Sequence, residues 1–200
     1  LENAVTTTTF KRGNTAYIRE AFTSFGKDVG VIYLSANTDK SINFTAEMNR
    51  PENAFSEIKD DCLWLSGQLP DGVDTTANKG MKFASAVKVV LPKGGNVEAK
   101  DNKITVKDAS EAIILVSMAT DYFGENCEEK ALTLLNEVSN TEYKQLKKEH
   151  VEKYSSLFNR CTLNLGYSGK ENMPIDQRLK AFATDKNDPS ISALYFQFGR

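Results

Sequence analysis

A chain of 200 residues has room for one large or two small domains, and its 40% hydrophobic content is enough for a real core. With 25 basic against 27 acidic residues, a formal net charge of -2, it lacks the basic excess of a nucleic-acid binder. Its longest strongly apolar run, residues 112–119 (AIILVSMA), is too short to span a bilayer and reads as a buried strand, so no nucleic-acid and no membrane partner is expected. The first twenty residues show no apolar core and no cleavage pattern. Leu1 reads as the interior of a domain, so the chain is expected to be an internal piece of a longer protein.

The first half is strand after strand. Residues 6–10 and Thr15–Thr23 bracket a turn-forming Lys11-Arg12-Gly13-Asn14 and suggest a hairpin. Val29–Ala36 is apolar on both faces and belongs in the middle of a sheet. Residues 41–49 alternate, with Ile42, Phe44, Ala46 and Met48 on one side and Asn43, Thr45, Glu47 and Asn49 on the other, as in a sheet with one wet face. Pro51 ends the run. Residues 62–69 form a short strand, and 71–80 a polar exposed loop. Residues 81–91 resume strand, with Phe83, Val87, Val89 and Leu91 sharing a face, until Pro92-Lys93-Gly94-Gly95 turns the chain. Residues 97–99 and 104–107 flank a tight turn, and Glu111–Thr120 closes the series. Strands divided by turn signals, with no helix between them, predict an antiparallel β-sandwich.

The period then changes. Residues 126–138 place Ala131, Leu134, Leu135 and Val138 on one helix face, with Glu128 and Glu129 in the first turn. Asn140 or Thr141 caps a second helix carrying Tyr143, Leu146, His150, Tyr154, Leu157 and Phe158, with Leu157 and Phe158 as packing anchors; its other face is a solvated run of Lys and Glu. Residues 161–165 read as a short strand. Ile175–Thr184 follows Pro174 as a third helix. Asp188 caps a fourth, with Pro189 at its first position. There Ile191, Leu194, Tyr195 and Phe198 form an apolar stripe that needs covering, by folding back or by a dimer contact.

Chemistry is sparse. Cys62, Cys127 and Cys161 are an odd, widely spaced set without CxxC, read as buried or partly buried thiols; no metal site and no cofactor is expected. No nucleophile elbow, P-loop, GxGxxG or HExxH occurs. His150 lies on an apolar helix face and is read as a packed, hydrogen-bonded ring, not a base. Asp60-Asp61 and Asp71 with Asp74 are read as solvated loop charges ahead of a sugar- or cation-facing role. Trp64, the one tryptophan, is the candidate sugar contact, with core or domain-interface packing as the favoured alternative. Asn43-Phe44-Thr45 matches a glycosylation sequon, a signal of low specificity.

The second half carries a resemblance. His150, Tyr154, Leu157-Phe158 and Arg160 lead to Leu163-Asn164-Leu165-Gly166, then Pro174-Ile175-Asp176-Gln177-Arg178-Leu179, Asp188-Pro189 and Phe196-Gln197-Phe198-Gly199-Arg200. This order resembles glycoside hydrolase family 95, the α-L-fucosidase family, with Ile175 where a threonine is usual. Tyr17-Ile18-Arg19-Glu20 and Gly80-Met81-Lys82-Phe83 are similar to the family's N-terminal sandwich. The resemblance implies mainly β structure with α: an incomplete, supersandwich-like antiparallel β-sandwich (1–124), a helical linker with a short strand (125–166), and the start of an (α/α)6 barrel (167–200). It implies a parent enzyme that is periplasmic or secreted and hydrolyses α-L-fucosides of fucosylated glycans with inversion, its acid and base lying beyond Arg200. No catalytic residue is carried over, and the chain alone is expected to be inactive. The alternatives are a stand-alone carbohydrate-binding sandwich, or part of an α-L-galactosidase or a related (α/α)6-barrel glycosidase or phosphorylase.

Overall fold

The computed structural model describes residues 1–73 and 79–199, in two compact units. The larger, Val5–Lys153, is a sandwich with a helical layer; the smaller joins Leu1–Ala4 to Tyr154–Arg200.

Among the described residues, ten antiparallel strands build the larger unit: β1 (Thr6–Arg12), β2 (Thr15–Thr23), β3 (Val29–Ala36), β4 (Ile42–Glu47), β5 (Ala54–Lys59), β6 (Cys62–Gln68), β7 (Lys82–Lys93), β8 (Asn96–Lys100), β9 (Lys103–Ala109) and β10 (Glu111–Thr120). Seven form one sheet in the order β1-β2-β3-β10-β7-β6-β5, and β4-β9-β8 form the second. Two-residue turns fix several registers. Gly13 at φ 60° and Asn14 join β1 to β2, so that Arg12 pairs with Thr15. Asp101 and Asn102, both left-handed, close β8 on β9.

Two departures from the expected strands have local causes. β5 was not expected; its AFSEIK sequence lacks clean alternation, and it is fixed by its hairpin to β6. β7 runs on through Pro92 to Lys93, which pairs with Glu111 beyond a register shift. A proline is tolerated at such an irregularity because the ladder there requires no N–H from it.

The centre of the large sheet is buried on both faces, while its edge strand β1 is exposed throughout. On one, Leu63, Val87, Val89 and Ala112 meet Ile42, Ile104 and Val106 of the small sheet. On the other, Val29, Val31, Trp64, Ala84, Ala86, Ile113 and Leu115 meet α1 (Cys127–Val138) and the start of α2 (Tyr143–Phe158). Small residues at positions 84, 86 and 131 let α1 lie close, and the buried Ser117 hydroxyl donates to the Ala131 carbonyl at 2.8 Å. Asn126 caps α1 by accepting from the Glu128 and Glu129 amides.

The smaller unit holds the end of α2, α3 (Ile175–Thr184) and α4 (Pro189–Phe198). Residues 161–165, expected as a strand, have no ladder partner and are irregular. A strand exists only through its inter-strand hydrogen bonds, and this segment joins neither sheet.

Candidate functional site

The densest polar network of the larger unit lies on the helix side of the sheet. Strand alternation puts Glu20 of β2 directly across from Tyr33 of β3. The first turn of α2 brings Tyr143 onto Tyr33, the rings 4.0 Å apart and nearly parallel. One turn later Lys147 reaches both Glu20 oxygens at 2.7 and 2.8 Å, while the Tyr143 hydroxyl donates to the same carboxylate. The Tyr33 hydroxyl donates to Glu111 at 2.9 Å. A cleft of about 430 Å³ opens beside them, lined by Tyr33, Pro92, Glu111, Asn140, Glu142 and Tyr143.

The electrostatics show what this network does. Burial, and then the neighbouring Glu111, push Tyr33 up to about 12. Burial and Glu20 push Tyr143 up as well. Partial burial alone would raise Glu20, but the hydrogen bonds from Lys147 and Tyr143 outweigh it and hold the carboxyl below its ordinary value. At neutral pH both phenols stay protonated and Glu20 stays ionised with its counter-ion. Neither acid nor base is poised near neutrality, so the network acts as a tether of α2 to the sheet.

His150, the lone histidine, belongs to the same packing. Its ring stacks on Phe22 at 4.7 Å, and Nδ1 accepts from the Phe25 amide at 3.1 Å. This places the proton of a neutral ring on Nε2.

Trp64 is 3% exposed, inside the core between the large sheet and the helices. Its indole N–H donates to the Lys59 carbonyl at 3.2 Å. A ring so buried has no open face for a sugar. Asp60 and Asp61 occupy the two-residue turn between β5 and β6, both left-handed, a conformation aspartate tolerates better than most residues. Asp71 caps its own loop by accepting from the Val73 amide, and Asp74 lies outside the described residues. Cys62 and Cys127 are buried, and burial raises the Cys62 thiol above its ordinary range. Cys161 is exposed, against the expectation of a buried thiol. The Asn43 side chain of the sequon accepts from the Asp108 amide across the β4–β9 ladder.

In the smaller unit the C-terminal motif becomes a buried ion-pair knot. Arg178 of α3 donates Nε and an Nη to the two oxygens of Asp188, at 2.7 and 2.8 Å, and both side chains are almost wholly sealed from water. Asp188 also caps α4 by accepting from the Ile191 amide, and accepts from the Ser168 and Ser190 hydroxyls. The Ser190 hydroxyl, whose one proton is shared between the two carboxylates, also lies 2.7 Å from Glu171, which accepts from the Ser168 amide as well. Lys170 pairs with Asp185 at 3.0 Å. The Arg178 guanidinium holds Asp188 far below the usual carboxylate range; hydrogen bonds from Ser168 and Ser190 bring Glu171 down to about 2. These carboxylates are ionised at neutral pH and already bonded.

The cap at Asp188 and the proline after it were readable in sequence; its partner Arg178, ten residues away, was not. The α4 stripe divides. Ile191 is buried, whereas Tyr195 and Phe198 are 80% and 73% exposed. Leu157, expected as a packing anchor, is exposed too. Among the described residues no group of three or more His, Cys, Asp or Glu side chains is arranged to hold a metal ion, and no helix is long and apolar enough to cross a membrane.

Residues 1–125 match the family described as Glycosyl hydrolase family 65, N-terminal domain, and residues 142–200 match Glycosyl hydrolase family 95 catalytic domain. The chain is 27% identical to Alpha-L-fucosidase 2 of Arabidopsis thaliana and 29% identical to Probable alpha-fucosidase A of Aspergillus niger. Each alignment covers the whole of this chain and 27% of the relative's length. Among solved structures, a putative kojibiose phosphorylase from human microbiome is 11% identical with a TM-score of 0.48, over 78% of this chain and 22% of the other.

Proposed function

Because the chain belongs to the family described as Glycosyl hydrolase family 65, N-terminal domain, and runs on into a family 95 catalytic-domain match, we propose that it is a non-catalytic portion of an inverting glycoside hydrolase acting on α-L-fucosides of fucosylated glycans. The carrying observation is the similarity over all 200 residues to two fucosidases of which the chain covers only 27%. Inversion needs one carboxyl protonated as the acid and another free to activate water. In the C-terminal segment Glu171, Asp185 and Asp188 are all held ionised by hydrogen bonds or counter-ions, which suits none of them to the acid role. We look for the acid, and with it the base, outside these three carboxylates. In this reading 1–124 is the sandwich domain, 125–166 the linker and 167–200 the start of the helical barrel, in a periplasmic or secreted parent. A dimer contact through α4 would rest on Leu194, Tyr195 and Phe198, because Ile191 is buried.

The test is turnover of 2′-fucosyllactose. No fucose release is expected from the purified chain, and release is expected from the protein extended over the length of the relatives. Turnover by the chain alone, or none by the extended protein on any α-L-fucoside, would overturn the proposal.

A further inference from the structure

The turn between β10 and α1 exposes two adjacent large aromatics, Tyr122 at 74% and Phe123 at 83%, packed edge to face at 4.9 Å. A loose loop would explain such exposure, but this turn is fixed. Its ends close on each other through the Gly124 amide and the Asp121 carbonyl at 2.8 Å, with Gly124 at φ 81°. Asp121 is also tied to the start of β7: its side chain accepts from the Lys82 amide at 2.8 Å, and its own amide donates to the Lys82 carbonyl at 3.1 Å. Two residues after Gly124, Asn126 caps α1. Two large rings are therefore held in water by a braced scaffold, which is how a recognition surface is preorganised.

The surroundings indicate what the rings receive. Asp121 and Gly124, the two ends of the turn, line an open depression of about 580 Å³ together with Lys82, Glu125, Asn126 and Glu128. Two of its three carboxylates have lysine partners at the edge, Glu125 with Lys130 and Glu128 at 3.7 Å from Lys59, and Asp121 accepts from the Lys82 backbone amide. The patch thus offers both donors and acceptors, with most of its negative charge already paired. A charged ligand gains little there, and an apolar partner would strand several charges away from water. A neutral polyol meets both demands, its C–H face lying on an aromatic ring while its hydroxyls bond to carboxylate, amide and ammonium groups.

We propose that the Tyr122–Phe123 turn and the depression it borders form a binding site for a neutral saccharide. This rests on the reading of the chain's partner as carbohydrate, but not on hydrolysis. The test titrates the full chain with 2′-fucosyllactose and with maltotriose, following the backbone amides of 121–128 by NMR. Saturable shifts confined to that turn are expected with at least one probe, with affinity lost by about tenfold or more in Tyr122→Ala and Phe123→Ala. A neutral ligand also predicts little change in affinity when the salt concentration is raised. Both positions are exposed, so the variants should melt with the parent chain. Absence of shifts at 121–128, unchanged affinity in both variants, or strong salt dependence would each overturn the site. So would sedimentation showing that the parent chain self-associates through these rings and that the variants do not. Failure here leaves the hydrolase proposal standing, since that is read by turnover of the longer protein.

Discussion

In the sandwich unit the largest side chains fully sealed from water are Leu63, Ile104, Leu115, Leu135 and Leu146; in the C-terminal unit the sealed pair is Arg178 and Asp188. Ile191 is the only buried hydrophobic among that unit's described residues, while Tyr167, Tyr195 and Phe198 lie in water. The contrast separates two ways of holding a chain. Apolar burial is non-directional and summed over many contacts, so the sandwich depends on no single residue. A buried ion pair recovers its desolvation cost only when every partner is in place, so the smaller unit depends on one constellation.

The largest expected effect follows from that dependence. Arg178→Met removes the counter-ion and leaves Asp188 buried and charged. Amide exchange across 174–199 should rise towards that of an unfolded segment, while the protection of β3, β7 and β10 stays intact. Equal loss in both units would break the comparison.

Acid should separate the units next. Glu171 titrates near 2 and Asp188 lower still, against ordinary values of 4.5 and 3.8. Carboxylates whose folded values are depressed contribute stability that is fully present above the unfolded values and is lost as pH falls towards the folded ones. From pH 5 down to 2 the C-terminal unit should therefore melt out progressively, seen as exchange or proteolysis confined to it. The apolar core of the sandwich should change far less over that range. A single concerted acid transition would contradict this.

Leu135→Ala reverses the pattern. Truncating a fully buried leucine should cost roughly 2–5 kcal/mol, read as a lower denaturant midpoint for the sandwich, with little effect on protection in 174–199. The smallest expected change is Glu20→Gln. It weakens the tether to Lys147 by about 1 kcal/mol, a modest figure because the pair is partly solvent-screened. Below the ordinary carboxylate range that difference should vanish, as Glu20 itself becomes protonated.

Much of this was legible along the chain. The β-rich half was read through to Thr120, the Asn126 and Asp188 caps through their side-chain chemistry, and the Asp101-Asn102 turn through its tolerance of left-handed backbone. His150 was read as a packed ring because nothing near it in sequence offered a catalytic partner, and its stacking on Phe22 agrees. The misses share a cause. β5 has weak alternation and is defined by its neighbour; residues 161–165 have alternation but belong to neither sheet. Trp64 is no miss in its favoured reading as a packed core ring; its weaker reading as an outward sugar contact arose because alternation reports two faces without saying whether both are covered.

By itself the amino-acid sequence determined what is decided within a few residues: element types, turns, caps, and the motif order that marks a glycoside hydrolase. Only the tertiary structure decided that the centre of the large sheet is sealed on both sides, that Arg178 belongs to Asp188 and Lys147 to Glu20, and that Tyr122 and Phe123 stand in water on a braced turn. The physical reason is range. Backbone preference and periodicity are local energies written into neighbouring residues. Burial and ion pairing depend on which distant groups the folded chain brings within a few ångströms, and across the sequence separation of 127 from Glu20 to Lys147 no local signal carries that information.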